Sequence, residues 1–237
     1  MTLADEVVAQ IASAADADVA SQLARYFQVR PGGYGEGDVV VGVRLGELRR
    51  IARPYARRPF DPDDWLPLLR SAVHEHRLLA LVAMATRSGV GDEIERTLIT
   101  RTYLANTAHV NGWDLVDASA APILGRYVRD HDRSVLDELA RSESVWERRI
   151  AIVSTHALIR AGESADTFRI ADALLDDPHD LIHKATGWML REVGARVSQD
   201  ALRAYLDDRA PRMPRTALRY AVEHLDADER RHYRALR

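Results

Sequence analysis

The segment VNGWDLVD, residues 110–117, decides the fold because it is one rung of a ladder. Related segments stand on either side: HEHRLLAL (74–81), VWERRIAI (145–152), LIHKATGW (181–188) and MPRTALRY (213–220). Each starts with polar or cationic residues and passes into an apolar run with helical periodicity. Successive starts lie 36, 35, 36 and 32 residues apart. That period fits a two-helix repeat of the HEAT type, in which each repeat buries its face on its neighbours. The spacing predicts an all-α chain, a single HEAT-like helical-repeat solenoid over residues 1–237 with about six helical pairs. Equivalent helices would then line one concave wall, and polar residues at the same point of each repeat would form a stripe along it.

The punctuation between rungs agrees with helices. A first helix is predicted over residues 3–13, a second over 18–27 and a third over 45–56. Between them RPGGYGEGDVVVGV (30–43) is too rich in glycine for a stable helix, and the valine run at 39–43 has no strand to pair with, so it reads as a loop. It is not a phosphate-binding P-loop, since no Lys-Ser/Thr pair follows it. Asp61-Pro62 reads as an N-cap with proline in the first turn. Ser144 and Glu147 have capping-box spacing ahead of a helix over 148–159, and Gly162 stands where a C-terminal glycine belongs. Asp177-Pro178 opens a helix that Gly194 is expected to close, and Met213-Pro214 opens another.

Composition removes several function classes. The chain is 46% hydrophobic and 29% charged, ordinary for a protein that forms a core. It has no cysteine, which excludes disulfides, thiolate metal sites, iron–sulfur clusters and a cysteine nucleophile. No apolar run is long enough to span a bilayer, and the acidic N-terminal stretch is unlike a secretory signal, so the expected compartment is the cytoplasm. His179 and His183 are one helical turn apart around Asp180, but no further ligand cluster accompanies them, and no metal is expected. The only H-x-D pair, His224 to Asp226, sits in a helical tail and does not suit an iron-dependent dealkylase.

The net charge of −3 conceals an uneven distribution, because all but one of the 33 cations are arginine, the exception being Lys184. Arg44, Arg49, Arg50, Arg53, Arg57 and Arg58 crowd one stretch, and Arg209, Arg212, Arg215 and Arg219 another, while acids gather elsewhere. A near-neutral chain can thus carry a strongly basic face. The stripe along the concave wall would hold His76, Arg77, Trp113, Asp117, Arg148, Arg149, His183, Lys184, Trp188, Arg215 and Arg219. A curved, arginine-lined wall suits a duplex phosphate backbone, which arginine contacts in bidentate fashion. The competing reading is that these arginines lie over apolar surface or pair with acids on neighbouring repeats. Trp113 and Asp117, four residues apart, share a helical face around Leu115, Val116 and Ala118. Two readings fit that spacing: a core tryptophan with a surface acid, or an aromatic ring beside a carboxylate presented together to a cationic centre.

Taken in order, LARYF with the GVR turn and LRRIA, WDLVD, ILG at 123–125, WERRIAI and HKATGWMLRE resemble the AlkD-type DNA alkylation repair family, HEAT-like DNA glycosylases, over residues 23–223. The resemblance implies hydrolytic removal of alkylated purines such as N3-methyladenine and N7-methylguanine from duplex DNA, without flipping the base into a pocket. Because such a purine leaves already charged, no cofactor is expected, and the repeat ladder is expected to form a monomer. By the same resemblance Trp113 and Trp188 match the two groove tryptophans, Asp117 the catalytic carboxylate, Arg149 the DNA-contacting arginine beside it, and Tyr26 a tyrosine near the DNA backbone. Arg44, Arg49 and Arg191 join His76, Arg77, Arg148, His183, Lys184, Arg215 and Arg219 as expected DNA contacts. Lys184 reads as a phosphate contact instead of a Schiff-base nucleophile, which makes the expected enzyme monofunctional. A non-catalytic HEAT-type module that binds DNA or protein is the alternative. The 32–38 loop and the HEHR segment match no family role, so the closure over DNA is the open part of the resemblance.

Overall fold

The computed structural model describes residues 2–236 and contains helices joined by turns and one longer loop at 27–44, with no named strand among the described residues. The all-α expectation holds. The chain divides into two compact units, Met1–Leu124 and Gly125–Arg237.

The first unit contains α1 (Leu3–Ser13), α2 (Ala17–Tyr26), α3 (Leu45–Tyr55), α4 (Pro62–Leu69), α5 (His74–Ser88), α6 (Glu93–Leu104) and α7 (Trp113–Ser119). Residues one helical turn apart supply much of its core: Val7 and Ile11 of α1, Leu48 and Ile51 of α3, and Ile99 and Tyr103 of α6 are essentially inaccessible, as are the adjacent Leu68 and Leu69 of α4. The two rungs in this unit are α5 and α7, and α5 packs on both α3 and α7. Asp61 caps α4 through the Asp63 N–H, with Pro62 in the first turn. The valine run, expected to be unpaired, finds one partner. Val39 N–H donates to the Ala72 carbonyl at 3.0 Å and its own carbonyl accepts from His74 N–H at 2.8 Å, a single parallel bridge to Val73. The sequence offers no second strand because that partner is the last extended residue before α5.

The second unit contains α8 (Ser134–Ala140), α9 (Val145–Ser154), α10 (His156–Ile159), α11 (Ala165–Ala173), α12 (Asp180–Arg196), α13 (Gln199–Arg209), α14 (Arg215–Ala221) and α15 (Ala227–Ala235). The rungs here are α9, α12 and α14, and α12 packs on both of the others. Gly162 has φ +88°, while Gly162 and Glu163 N–H bond back to the Ile159 and Leu158 carbonyls, which is a Schellman closure. Two expectations are corrected. Ser144 is the N-cap of α9 but makes no side-chain cap bond; Ser142 Oγ receives the Ser144 N–H at 3.0 Å and donates to Glu147 at 2.5 Å, so Glu147 is linked to the N-cap through Ser142. Gly194 does not end α12, which runs on to Arg196. Its reason is packing: a Cβ there would sit 2.6 Å from the Leu202 side chain.

No helix among the described residues is long and apolar enough to cross a membrane.

Candidate active site

In α7, Leu115, Val116 and Ser119 are fully buried, and this fixes the rotation of the helix. Trp113 and Asp117 are then left half-buried on the remaining face. Trp113 is neither a core residue nor a free one. Its ring meets Tyr26 edge-on, with centroids 5.4 Å apart, and Phe27 at 5.9 Å, and its indole N–H donates to the Tyr34 hydroxyl at 3.0 Å. Tyr26 itself is 62% exposed. Asp117 lies close enough to the buried Tyr103 that its charge, after burial, helps hold that phenol above its usual range, while the Ser119 hydroxyl works against the shift.

Beside these rings lies a cleft of about 390 Å³. Leu23, Tyr26, Phe27, Val43, Leu78 and Trp113 give it apolar and aromatic walls, His74, Glu75 and Asp114 give it polar lining, and the exposed Arg44 gives it a cation. His74 is 2% exposed and lies between two carboxylates, with Nδ1 2.8 Å from Asp38 and Nε2 2.8 Å from Asp114. Burial opposes its charge, but the hydrogen bonds and charges of Asp114 and Asp38 outweigh burial and raise its pKa to about 9. Phe27 stacks on the ring at 4.5 Å. Asp38 is held below the usual carboxylate range, since its bonds to His74 and Arg77 overcome the burial that would raise it. Next in sequence to His74, the buried Glu75 accepts the backbone N–H groups of Val41, Gly42 and Val43.

Of the other expected residues in this unit, Arg49 is exposed on α3 and Arg44, just before it, donates to Gln22 at 3.2 Å. His76 hydrogen-bonds Ser71 through Nδ1 at 2.9 Å, and burial is the main reason its pKa is lowered. Arg77 departs most from expectation. It is 3% exposed and its guanidinium is committed to Asp38 at 2.6 Å and the Ser71 carbonyl at 2.7 Å. A side chain so placed braces the start of α5 and does not face solvent.

In the second unit, Arg149 is buried on α9 and donates to the Leu181 carbonyl at 2.5 Å, at the start of α12. Arg148 pairs with Asp177 at 2.6 Å and with the Ser142 and Glu143 carbonyls. His183 Nε2 bonds the Asp177 carbonyl and His179 Nδ1 accepts the Leu181 N–H, so each ring is engaged with the segment that opens α12. Among the described residues no group of three or more His, Asp or Glu is placed to hold a metal. Trp188 is half-buried, and its indole N–H points to Glu192 at 3.3 Å, a buried carboxylate also bonded by Arg196 at 2.6 Å. Lys184, half-exposed, pairs with the exposed Asp180 at 2.8 Å. Arg191 pairs with Glu223 and lines a shallow cleft of about 360 Å³ with Arg219 and Arg234. Arg215 and Arg219 are exposed on α14, the first donating to the Arg234 carbonyl at 2.8 Å and the second lying 5.1 Å from the Tyr220 ring.

Sequence reasoning missed His74, Asp38, Asp114, Tyr34 and Glu75. HEHR and the 32–38 loop are visible as unusual segments, but Asp38 and Asp114 stand 36 and 40 residues from His74, and no local pattern joins them. Glu192 is different. It lies four residues after Trp188, the spacing at which helical side chains meet.

A family model described as DNA alkylation repair enzyme matches residues 7–225. A solved structure described as a predicted DNA alkylation repair enzyme from Enterococcus faecalis aligns with a TM-score of 0.69 at 15% identity, over 90% of this chain and 97% of that one. No curated protein matches.

Proposed function

We propose that this chain, which belongs to the DNA alkylation repair enzyme family, is a monofunctional glycosylase that hydrolyses the N-glycosidic bond of cationic alkylated purines in duplex DNA. In this reading it works as a monomer in the cytoplasm, without metal or cofactor, as one HEAT-like domain whose basic groove takes the duplex without base flipping. The observation that carries the reading is on α7: Trp113 and Asp117 stand one turn apart and partly exposed, while Leu115, Val116 and Ser119 beside them are core.

The chemistry is set by the substrate. An N3- or N7-alkylated purine already bears positive charge and leaves without a general acid. What needs help is the deoxyribose, which becomes oxocarbenium-like as the bond breaks. The Asp117 carboxylate stabilises that charge and orients the attacking water. Trp113 and Trp188, whose indole N–H groups are engaged by Tyr34 and Glu192, are proposed to act through the ring face, the part of tryptophan that attracts a cation. Arg149 adds positive charge beside the start of the helix that carries Trp188. His74 has both nitrogens on carboxylates, and His76 and His183 each have one ring nitrogen bound just ahead of their own helix, so none of the three is proposed as the proton donor to the base. Arg77 leaves the set proposed to face DNA, and Arg44, Arg49, Lys184, Arg215 and Arg219 remain in it, with Tyr26, Arg148 and Arg191 at shorter reach.

The test is release of free base. Duplex DNA carrying 7-methylguanine or 3-methyladenine, incubated with the protein and a chelator, is expected to yield the free methylated base and an abasic site without strand cleavage. DNA binding with no base release identifies a binding module instead.

A further inference from the structure

The glycine-rich 32–38 loop enters the chemistry above only through the Tyr34 hydroxyl, yet it reaches the centre of the candidate site. Its exit is fixed by buried charge. Asp38 accepts from His74 at 2.8 Å and Arg77 at 2.6 Å, and the three N–H groups at 41–43 end on Glu75. Its entrance folds back just beyond the end of α2 so tightly that a Cβ on Gly33 would lie 2.0 Å from the Gln28 carbonyl. Between these anchors the loop carries one aromatic side chain, Tyr34. The Tyr34 hydroxyl donates to the Tyr26 carbonyl at 2.9 Å and accepts the Trp113 indole N–H at 3.0 Å. A hydroxyl with its own proton spent on a backbone carbonyl is left with its lone pairs for the indole, so the direction of both bonds is set.

We propose that Tyr34 is a positioning residue: held by the anchored 32–38 loop, its hydroxyl fixes the ring plane of Trp113 by accepting the indole N–H, leaving the ring face to meet the cationic purine nucleotide. The inference rests on the glycosylase reading for what Trp113 meets, but the fixing of the ring stands on its own geometry. Trp113 is at the first turn of α7, where an indole on a half-exposed face has several rotamers open to it. Tyr26 and Phe27 restrict the ring only by van der Waals contact, whereas the bond to Tyr34 defines where its edge points. Trp188 is tied in the corresponding way by Glu192, four residues along its own helix. For Trp113 the acceptor has to come from 79 residues away, and a loop of glycines is the part of the chain able to lie that close to α2 and still deliver it.

The experiment has two arms on the full-length protein. In the first, the Trp113 indole N–H resonance is assigned by its loss in Trp113→Phe, and its hydrogen exchange is compared between wild type and Tyr34→Phe, which keeps the ring and removes the hydroxyl. Exchange is expected to quicken by about tenfold or more in Tyr34→Phe, with the indole of the buried Trp65 unchanged as a check that the fold is intact. In the second, single-turnover excision of 7-methylguanine is measured for wild type, Tyr34→Phe, Trp113→Phe and the double variant. Tyr34→Phe is expected to slow excision about tenfold with DNA affinity unchanged, and to have no further effect in the Trp113→Phe background. Unchanged exchange, or the same slowing with and without Trp113, overturns the proposal. If wild type releases no base, the glycosylase reading fails, and the exchange arm alone decides whether Tyr34 fixes the ring.

Discussion

Raising the pH should remove a definite share of the stability of the first unit, through one proton on His74. The folded-state pKa of about 9 stands above the ordinary 6.5, despite burial, because Asp114 and Asp38 bracket the ring. The folded protein therefore holds the proton where the unfolded chain has lost it. The stabilisation is fully present below about pH 6.5, declines between 6.5 and 9, and is gone above about 9. That difference in proton affinity corresponds to about 3 kcal/mol. The ring is 2% exposed, so solvent does not screen the interaction appreciably. Urea unfolding of wild type and His74→Gln across this range is the assay, with the variant carrying every other titration in the chain. The gap between them should shrink by about 3 kcal/mol from the acid end to the alkaline end, with a slope near 1.4 kcal/mol per pH unit in the middle. A gap that stays constant, or nitrogen shifts that report a neutral His74 ring at about pH 7.5, refutes the reasoning.

Other outcomes are expected from the same structure. DNA binding should weaken steeply with salt, with a log–log slope of about −4 to −5 if Arg44, Arg49, Lys184, Arg215 and Arg219 each meet a phosphate, and Lys184→Ala or Arg215→Ala should flatten it by about one; a flat response counts against a phosphate-lined groove. Glu75→Ala strands three backbone N–H groups at 41–43 and should destabilise the protein by about 3 kcal/mol or more in urea titration, a loss below about 1 kcal/mol showing that water replaces the carboxylate freely. Uracil and hypoxanthine, which are neutral and need a proton on departure, should be excised far more slowly than 7-methylguanine, because the proposed chemistry supplies no proton to the leaving base; comparable rates would show that a general acid is at hand.

The rungs were legible because their signal is local. Apolar spacing and terminal residues place α5, α7, α9, α12 and α14 within a few residues of where the structure starts them. The same local logic misplaced Gly194, since a glycine that ends a helix and one that admits Leu202 from the next helix look alike in sequence. Trp113 and Asp117 were legible as a pair because four residues is a helical turn. The destinations of the charges were not legible. Arg77 reads as one more cation in a basic row, and only its partner Asp38, 39 residues earlier, turns it inward. Tyr34 reads only as a residue of a glycine-rich loop, and its role depends on Asp38 and Glu75 fixing the loop exit at 38–43.

The central claim is that the Asp117 charge acts on the sugar in the transition state. Single-turnover excision of 7-methylguanine by Asp117→Asn tests it most directly, because asparagine keeps the size and removes the anion. At about 4 Å and an effective dielectric near 20, a charge pair is worth roughly 4 kcal/mol, so the rate should fall about a thousandfold while DNA affinity stays nearly constant. An Asp117→Asn protein that excises at the wild-type rate would contradict the account.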